Sequence, residues 1–511
     1  MATKTLPENL TTLVRGAARR AIVAAMLTFV AAGVSGAQAS TYFELASSPA
    51  AAASRRAAAD LLATDVKAAM NRVRGSGTWG VMVVSLSNGD TLFDHNAERM
   101  LLPASTMKLF TSALALDRFG PNGRFETQLL HTGSITNGVL HGDLILRGAG
   151  DPTLGGSPAV GDVSPPMAVL ARAVANAGVT RVTGSIIGDA SEFDDGKVPE
   201  GWKRRYLHAS YAARVSALSF NENRIGILVK PTGKAAAVRF RPAISGVGIT
   251  NTVRIVANSR SARIVVTQDS VKGTIKVSGW IGALSAERNY QLVVENPALF
   301  AVGALKAALE KQGVQVDGPI RRGEGLGIVA PVATIESPTL EQMIMQMNGK
   351  SNNHFAELLF RSVGRSIGER GSATMSNTML GQFLVNKVRV DSETVFAADG
   401  SGLSTLDRVT PRALVQLLNY AKTASWWSSL EQSLPIAGKT ETLARRMRRT
   451  PAMGNLRAKT GSTNDIASLG GYVTAGNGED LAFAIIYNGT DLWRAREAID
   501  RIGVTLASFS R

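Results

Sequence analysis

At 511 residues, with 45% hydrophobic and 19% charged side chains, the chain is long enough for two or three folded domains and too apolar for a disordered one. Its net charge of +16 favours anionic partners, without choosing among nucleic acid, anionic lipid and an acidic wall polymer. The absence of cysteine excludes a disulfide framework, a thiol nucleophile and a thiolate metal site.

The amino terminus narrows the choice. Lys4, Arg15, Arg19 and Arg20 precede an apolar run of 14 residues, 21–34, followed by Ala37-Gln38-Ala39. That order is a cleavable export signal (residues 1–39), cut after Ala39. The run is short for a membrane span, and an uncleaved anchor is the competing reading. The Arg19-Arg20 pair fits a twin-arginine route, but a bare pair does not choose it over the general one. Export makes the expected location the periplasm or wall space. It argues against nucleic acid as a partner and leaves at most peripheral membrane association.

An Ala/Ser-rich tether at 47–54 leads into an expected helix over 57–74, a strand over 79–86, a turn at 87–90 and a second strand over 91–94. An apolar helix follows over 105–118 and stops at Gly120-Pro121. From about Phe125 short β-branched runs recur between Gly, Asn and Pro: 144–146, 182–187, 224–229, 253–256, 262–266 and 274–277. Only 167–177 and 297–312 read as helices there. Helical character returns at 339–347, 352–364, 372–385 and 411–424. Strands over 456–461, 471–475 and 481–487 and an amphipathic helix over 491–506 close the chain. The two ends share one style, helices around an antiparallel sheet. The chain therefore reads as α+β, with one domain (57–125 and 325–511) split by a β-rich insertion. The insertion divides into one part at 126–215 and 290–324 and another at 216–289.

For chemistry, the histidines His95, His131, His141, His208 and His354 are isolated from one another, and no metal-ligand or phosphate-loop spacing occurs. No metal or cofactor is expected. What remains is Ser105-Thr106-Met107-Lys108. A serine hydroxyl needs a base, and a lysine one helical turn away supplies one if burial and nearby positive charge lower its pKa. The bland alternative is a capped helix with a surface lysine. In Lys459-Thr460-Gly461, which leads into Ser462, the lysine and hydroxyl can hold a carboxylate. The glycine would let a substrate backbone lie along a strand edge. Lys439-Thr440-Glu441 starts the same way, but its glutamate would repel a carboxylate. An S-x-N element has three candidates: Ser219-Phe220-Asn221, Ser462-Thr463-Asn464 and Ser351-Asn352-Asn353. The last lies between two helices, where a loop can aim Ser351 and Asn353 into a cleft, and it is preferred. Ser351 could equally be a helix cap.

S-x-x-K, S-x-N and K-T-G in that order are the motifs of penicillin-binding proteins and serine β-lactamases. Some 246 residues separate Ser105 from Ser351, and the strings Gly142-Asp143-Leu144, Gly148 to Leu154, Ser351 to Glu357 and Asp399 to Ser404 accompany the motifs. On these the chain resembles low-molecular-mass class C penicillin-binding proteins of the penicillin-binding protein 4 type. Those are the D-alanyl-D-alanine carboxypeptidase/endopeptidases of peptidase family S13. The resemblance implies a β-lactamase/transpeptidase-like domain interrupted by two inserted domains. It implies peptidoglycan peptides as substrates and β-lactam antibiotics as inhibitors. Ser105 would attack the penultimate D-alanyl carbonyl, with Lys108 taking its proton and Ser351 relaying one to the leaving amine. Asn353 would bind the substrate amide, Lys459 would supply positive potential and Thr460 would bind the terminal carboxylate. The backbone N–H groups of Ser105 and Ser462 would form the oxyanion hole. The stretch 437–443 departs from the family pattern, which has an acidic residue and a glycine before its Thr-Leu. A β-lactamase and a non-catalytic wall-binding protein, the latter using Arg445, Arg446, Arg448 and Arg449, are the competing readings.

Overall fold

A computed structural model describes residues 49–155, 165–269, 273–325, 327 and 329–511. The expected export signal and cleavage site lie outside them. The chain forms a small unit ending at Leu61 and a large unit, Leu62–Ser510, which holds everything that follows.

The fold is α+β. An antiparallel sheet runs in the order Thr91–His95, Gly77–Ser85, Asp480–Gly489, Ile466–Thr474 and Arg457–Ser462. The two ends of the chain thus share one sheet, with Arg457–Ser462 at one edge, bridged there by Ile436 only at its Arg457 end. The strands Ile466–Thr474 and Asp480–Gly489 are buried almost throughout, because helices cover both faces. Ala482, Ala484 and Ile486 pack into one apolar core with the helices Met107–Phe119, Leu340–Lys350, Asn353–Arg365 and Pro411–Ala421. The terminal helix Leu492–Ser508 packs on the same two strands. Met107–Phe119 is buried from Met107 to Leu116, polar Lys108, Thr111 and Ser112 included.

Residues 126–336 form four further sheets. One apolar cluster, reaching from Leu129 and Leu146 through Ile227 and Val277 to Leu305, runs beneath them. Several elements differ from the sequence expectation. The run 182–187 is two strands in two sheets, Arg181–Val182 and Ile186–Asp189, broken at Thr183-Gly184-Ser185. Glu126–His131, Ala235–Arg241 and Arg288–Val293 are strands that were not legible, since their charged, polar or alanine-rich segments carry little β-branched signal, and Ala330–Glu336, with Val332, Thr334 and Ile335, is a further strand that was not expected. Ala330–Glu336 pairs with Glu126–His131, so the inserted sheet extends past the boundary expected at 325.

Candidate active site

Ser105 lies in a 3-10 turn, Ala104–Thr106, immediately before Met107–Phe119, rather than within the helix itself. Ala104 has φ 47, a left-handed conformation that costs a non-glycine residue roughly 1 kcal/mol or more and is held only by its surroundings. Those surroundings are visible. The Thr106 and Ser468 hydroxyls both donate to the Pro103 carbonyl at 2.7 Å. The Asn488 side chain pairs with both backbone groups of Leu102, tying the turn to the sheet.

Lys108 is fully buried, and its Nζ has three partners: Ser105 Oγ at 2.9 Å, Asn353 Oδ1 at 2.7 Å and the Ser401 carbonyl at 2.7 Å. The last two can only accept. A neutral amine donates to both and turns its lone pair to the Ser105 hydroxyl, the arrangement a general base needs. Burial lowers the Lys108 pKa to about 8, against the opposing pull of Asp399, Glu357 and Asp407. Burial is therefore the main cause, where nearby positive charge had been expected to share it. Glu357 is itself pushed up to about 8 by burial and by Asp399, and Asp407 is raised well above the ordinary range for the same reasons. A carboxyl kept protonated exerts less hold on the lysine proton.

The sign of the pH dependence follows. Below its pKa Lys108 carries the proton and cannot accept another; above it the base is free. The rate at which a β-lactam acylates Ser105 should rise with pH through an apparent pKa near 8 and then level. A rate constant that is flat from pH 6 to 9.5 would remove Lys108 from the role of base.

Ser351 is the left-handed cap residue of Leu340–Lys350 (φ 57), and Asn352, not Ser351, caps the next helix by accepting from the Phe355 N–H. Asn353 is that helix's first residue. This leaves the Ser351 hydroxyl free of capping, and it accepts from Lys459 Nζ at 2.9 Å. Lys459 is also fully buried and donates to the Thr460 carbonyl at 2.7 Å. Burial, then the neighbouring Lys108 charge, hold its pKa well below the usual lysine value. Thr460 Oγ1 lies 3.0 Å from Thr442 Oγ1.

Gly461 has a different physical reason from the one expected. A Cβ there would stand 2.1 Å from Ser468 Oγ, 2.9 Å from the Pro103 carbonyl oxygen and 3.0 Å from Ser105 N. The glycine lets the edge strand lie against the nucleophile turn, which places the Ser462 backbone beside Ser105.

All eight sequence-selected residues therefore belong to one neighbourhood. Ser105, Ser351, Asn353 and Ser462 line a cavity of about 360 Å³, with Lys108 and Lys459 buried behind it. The rejected Ser219-Phe220-Asn221 is buried in the inserted segment, and Lys439 and Glu441 are exposed and do not line the cavity. Sequence reasoning missed four contributors. The Ser401 carbonyl sits in the Asp399 to Ser404 string, whose paired glycines signalled a turn but not its target. Asp399 builds that turn by accepting from the N–H groups of Ser401, Gly402 and Ser404 and from the Trp202 indole at 2.7 Å. Tyr211 accepts from Asn353 Nδ2 through its backbone carbonyl at 2.9 Å. No local signal marks a carbonyl so distant in sequence. Arg496, from the last helix, also lines the cavity.

A serine hydroxyl on a buried, pKa-depressed lysine, set against an edge of an antiparallel sheet, defines the class as a serine acyl-transfer enzyme. The chain belongs to the D-Ala-D-Ala carboxypeptidase 3 (S13) family, whose model matches residues 62–509. It is 32% identical over 451 residues to the D-alanyl-D-alanine carboxypeptidase of Actinomadura sp. (strain R39), covering 84% of this chain and 81% of that one. It is 26% identical over 419 residues to the D-alanyl-D-alanine carboxypeptidase DacB of Haemophilus influenzae, covering 80% and 85%. It shares the fold of the crystal structure of penicillin binding protein 4 from Haemophilus influenzae, with a TM-score of 0.73 at 24% identity over 86% of this chain and 98% of that one.

Proposed function

We propose that this D-Ala-D-Ala carboxypeptidase works through a Ser105 acyl-enzyme on peptidoglycan stem peptides, releasing terminal D-alanine, opening cross-links, or both. The observation that carries the reading is Lys108 Nζ at 2.9 Å from Ser105 Oγ with its other two partners obligate acceptors. In acylation the Ser105 proton passes to Lys108 and Oγ bonds to the penultimate D-alanyl carbonyl carbon. The Ser105 and Ser462 N–H groups hold the oxyanion. Collapse breaks the C–N bond, and Ser351 relays a proton: it passes its hydrogen to the leaving amine while its oxygen takes one from Lys459 Nζ, 2.9 Å away. Thr460 receives the terminal carboxylate beside the Lys459 charge. With Asn353 Oδ1 committed to Lys108, Asn353 binds the substrate amide through Nδ2, and the substrate carbonyl takes the place of the Tyr211 carbonyl. Water then releases the acyl group. A β-lactam enters the same sequence as an inhibitor and leaves slowly.

The split catalytic domain and two inserted parts are proposed as the sequence divides them, with the second catalytic segment starting after Glu336. A cleaved leader and a periplasmic or wall-space location fit an enzyme of this substrate. Among the described residues no helix is long and apolar enough to cross a membrane.

The test is incubation with a pentapeptide ending in D-Ala-D-Ala and with cross-linked muropeptides. Release of D-alanine or splitting of dimers is expected. Neither product, with wall binding intact, would make the chain a binding protein, and rapid catalytic turnover of penicillin would make it a β-lactamase.

A further inference from the structure

The rejected motif Ser219-Phe220-Asn221 leads into three consecutive residues in the left-handed region, Asn221, Glu222 and Asn223, with φ 53, 50 and 55. L side chains disfavour that conformation, so a run of three persists only where its surroundings hold it. Here they do. Asn223 is fully buried, and its Nδ2 donates to the Ser219 hydroxyl and to the Arg214 carbonyl, each at 2.8 Å. Its Oδ1 accepts from the Phe220 N–H at 3.2 Å, and its carbonyl accepts from the Val294 N–H at 3.0 Å. Arg214, buried as well, pairs with Glu295 at 2.5 Å and donates to the carbonyls of Leu207 and Ala212. The strained run and the segment carrying Tyr211 are thus braced as one piece. What the run presents to the catalytic side is the buried Glu222 carboxylate.

Two hydrogen bonds pass from this piece to Ser351-Asn352-Asn353. Asn353 Nδ2 donates to the Tyr211 carbonyl at 2.9 Å, and Asn352 Nδ2 donates to Glu222 Oε2 at 3.1 Å. The first gives way to the substrate carbonyl during turnover. The second involves a side chain that does not line the cavity, so substrate leaves it in place. Glu222 Oε2 also accepts from Arg224 at 2.7 Å, which steadies the carboxylate. A carboxylate only accepts, so it holds the Nδ2 end of Asn352 and leaves Oδ1 to cap the next helix at the Phe355 N–H. Turning the amide over would set Oδ1 against the carboxylate. The residues on either side of this anchored asparagine are the ones that matter for chemistry. Ser351, itself left-handed, contacts Lys459, and Asn353 Oδ1 orients Lys108.

We infer that Glu222 is a positioning residue: through Asn352 it sets Ser351 and Asn353 in place, so that the inserted segment takes part in acylation of Ser105. This rests on the acyl-transfer reading of Ser105. The experiment measures the acylation rate constant and the apparent dissociation constant for a fluorescent penicillin, both per titrated active site, beside the melting temperature. Glu222→Ala should slow acylation about tenfold or more while the dissociation constant changes less than about twofold. Glu222→Gln should stay within about threefold of wild type, because Arg224 and Asn352 share one oxygen, which an amide can supply. Asn352→Ser keeps a capping hydroxyl but loses the donor, and it should match Glu222→Ala. The double variant should be no slower than either single one, since both remove the same bond. A residue that only supports the fold would lower the melting temperature and leave acylation per site at the wild-type rate. That result, equal slowing in Glu222→Gln and Glu222→Ala, or multiplied losses in the double variant overturns the inference. If Glu222→Ala does not fold, Asn352→Ser decides: slowed acylation supports the positioning role, and wild-type acylation overturns it. Wild type that forms no penicillin adduct at Ser105 overturns the acyl-transfer reading and this inference with it. A wild-type adduct together with unimpaired Glu222→Ala overturns the inference alone.

Discussion

Ser105→Ala should abolish the covalent fluorescent-penicillin adduct and cut D-alanine release by about 10,000-fold or more, the usual cost of deleting a nucleophile. The loss should be chemical, not structural. Ser105 is only partly buried, and without its hydroxyl Lys108 still donates to Asn353 Oδ1 and the Ser401 carbonyl. The melting temperature should therefore stay within a degree or two of wild type. Lys108→Met removes the base from the same place and should slow acylation by about 1,000-fold. Its effect on stability is a balance. Methionine spares the cost of burying an amine but strips two buried acceptors of their donor, at about 1–3 kcal/mol each. A net loss of stability is expected, so the Lys108 variant is read by its adduct rate per folded molecule. Persistent labelling of Ser105→Ala would place the nucleophile elsewhere.

These outcomes bear on what the chain alone could show. The three motifs were legible because each has a chemical reason: a base one turn from a hydroxyl, a carboxylate-binding pair on a strand, and two polar side chains in an interhelical loop. The sharing of one sheet by Gly77–Ser85 and Asp480–Gly489 was also legible, since both ends alternate helices with apolar strands. What sequence could not supply is what depends on folding across long gaps. The depressed pKa of Lys108 comes from burial among helices hundreds of residues apart. The Tyr211 carbonyl is contributed by a segment to which the sequence assigned no helix or strand. Weak strands such as Arg288–Val293 form because Arg224–Thr232 offers them a partner, not because their own residues favour extension. Gly461 was read as room for substrate, whereas its missing side chain is room for the nucleophile turn.

That same close packing makes Gly402 the most sensitive position outside the reacting groups. Gly402 has φ 83, and a Cβ on it would lie 1.8 Å from the Ala104 carbonyl oxygen and 2.4 Å from its carbon. Both atoms are backbone, in the residue that sets Ser105 in place, so no side chain can swing aside. Gly402→Ala must push the Asp399 to Ser404 turn away from the nucleophile turn. The turn cannot yield cheaply. Its Gly402 N–H donates to Asp399 at 2.6 Å, and its Ser401 carbonyl is one of the acceptors that orient Lys108. The variant should lose about 3 kcal/mol of stability, part from the left-handed backbone and the larger part from the clash. Acylation by penicillin should slow about 100-fold or more, as expected when catalytic groups shift by about an ångström. Gly478→Ala separates the two causes. Gly478 has φ 85 in the hairpin after Ile466–Thr474, but nothing stands within 4 Å of its Cβ position. It should cost only about 1 kcal/mol and leave acylation at the wild-type rate. If Gly402→Ala acylates as fast as Gly478→Ala, the turn does not position Lys108, and the base is held by Asn353 alone.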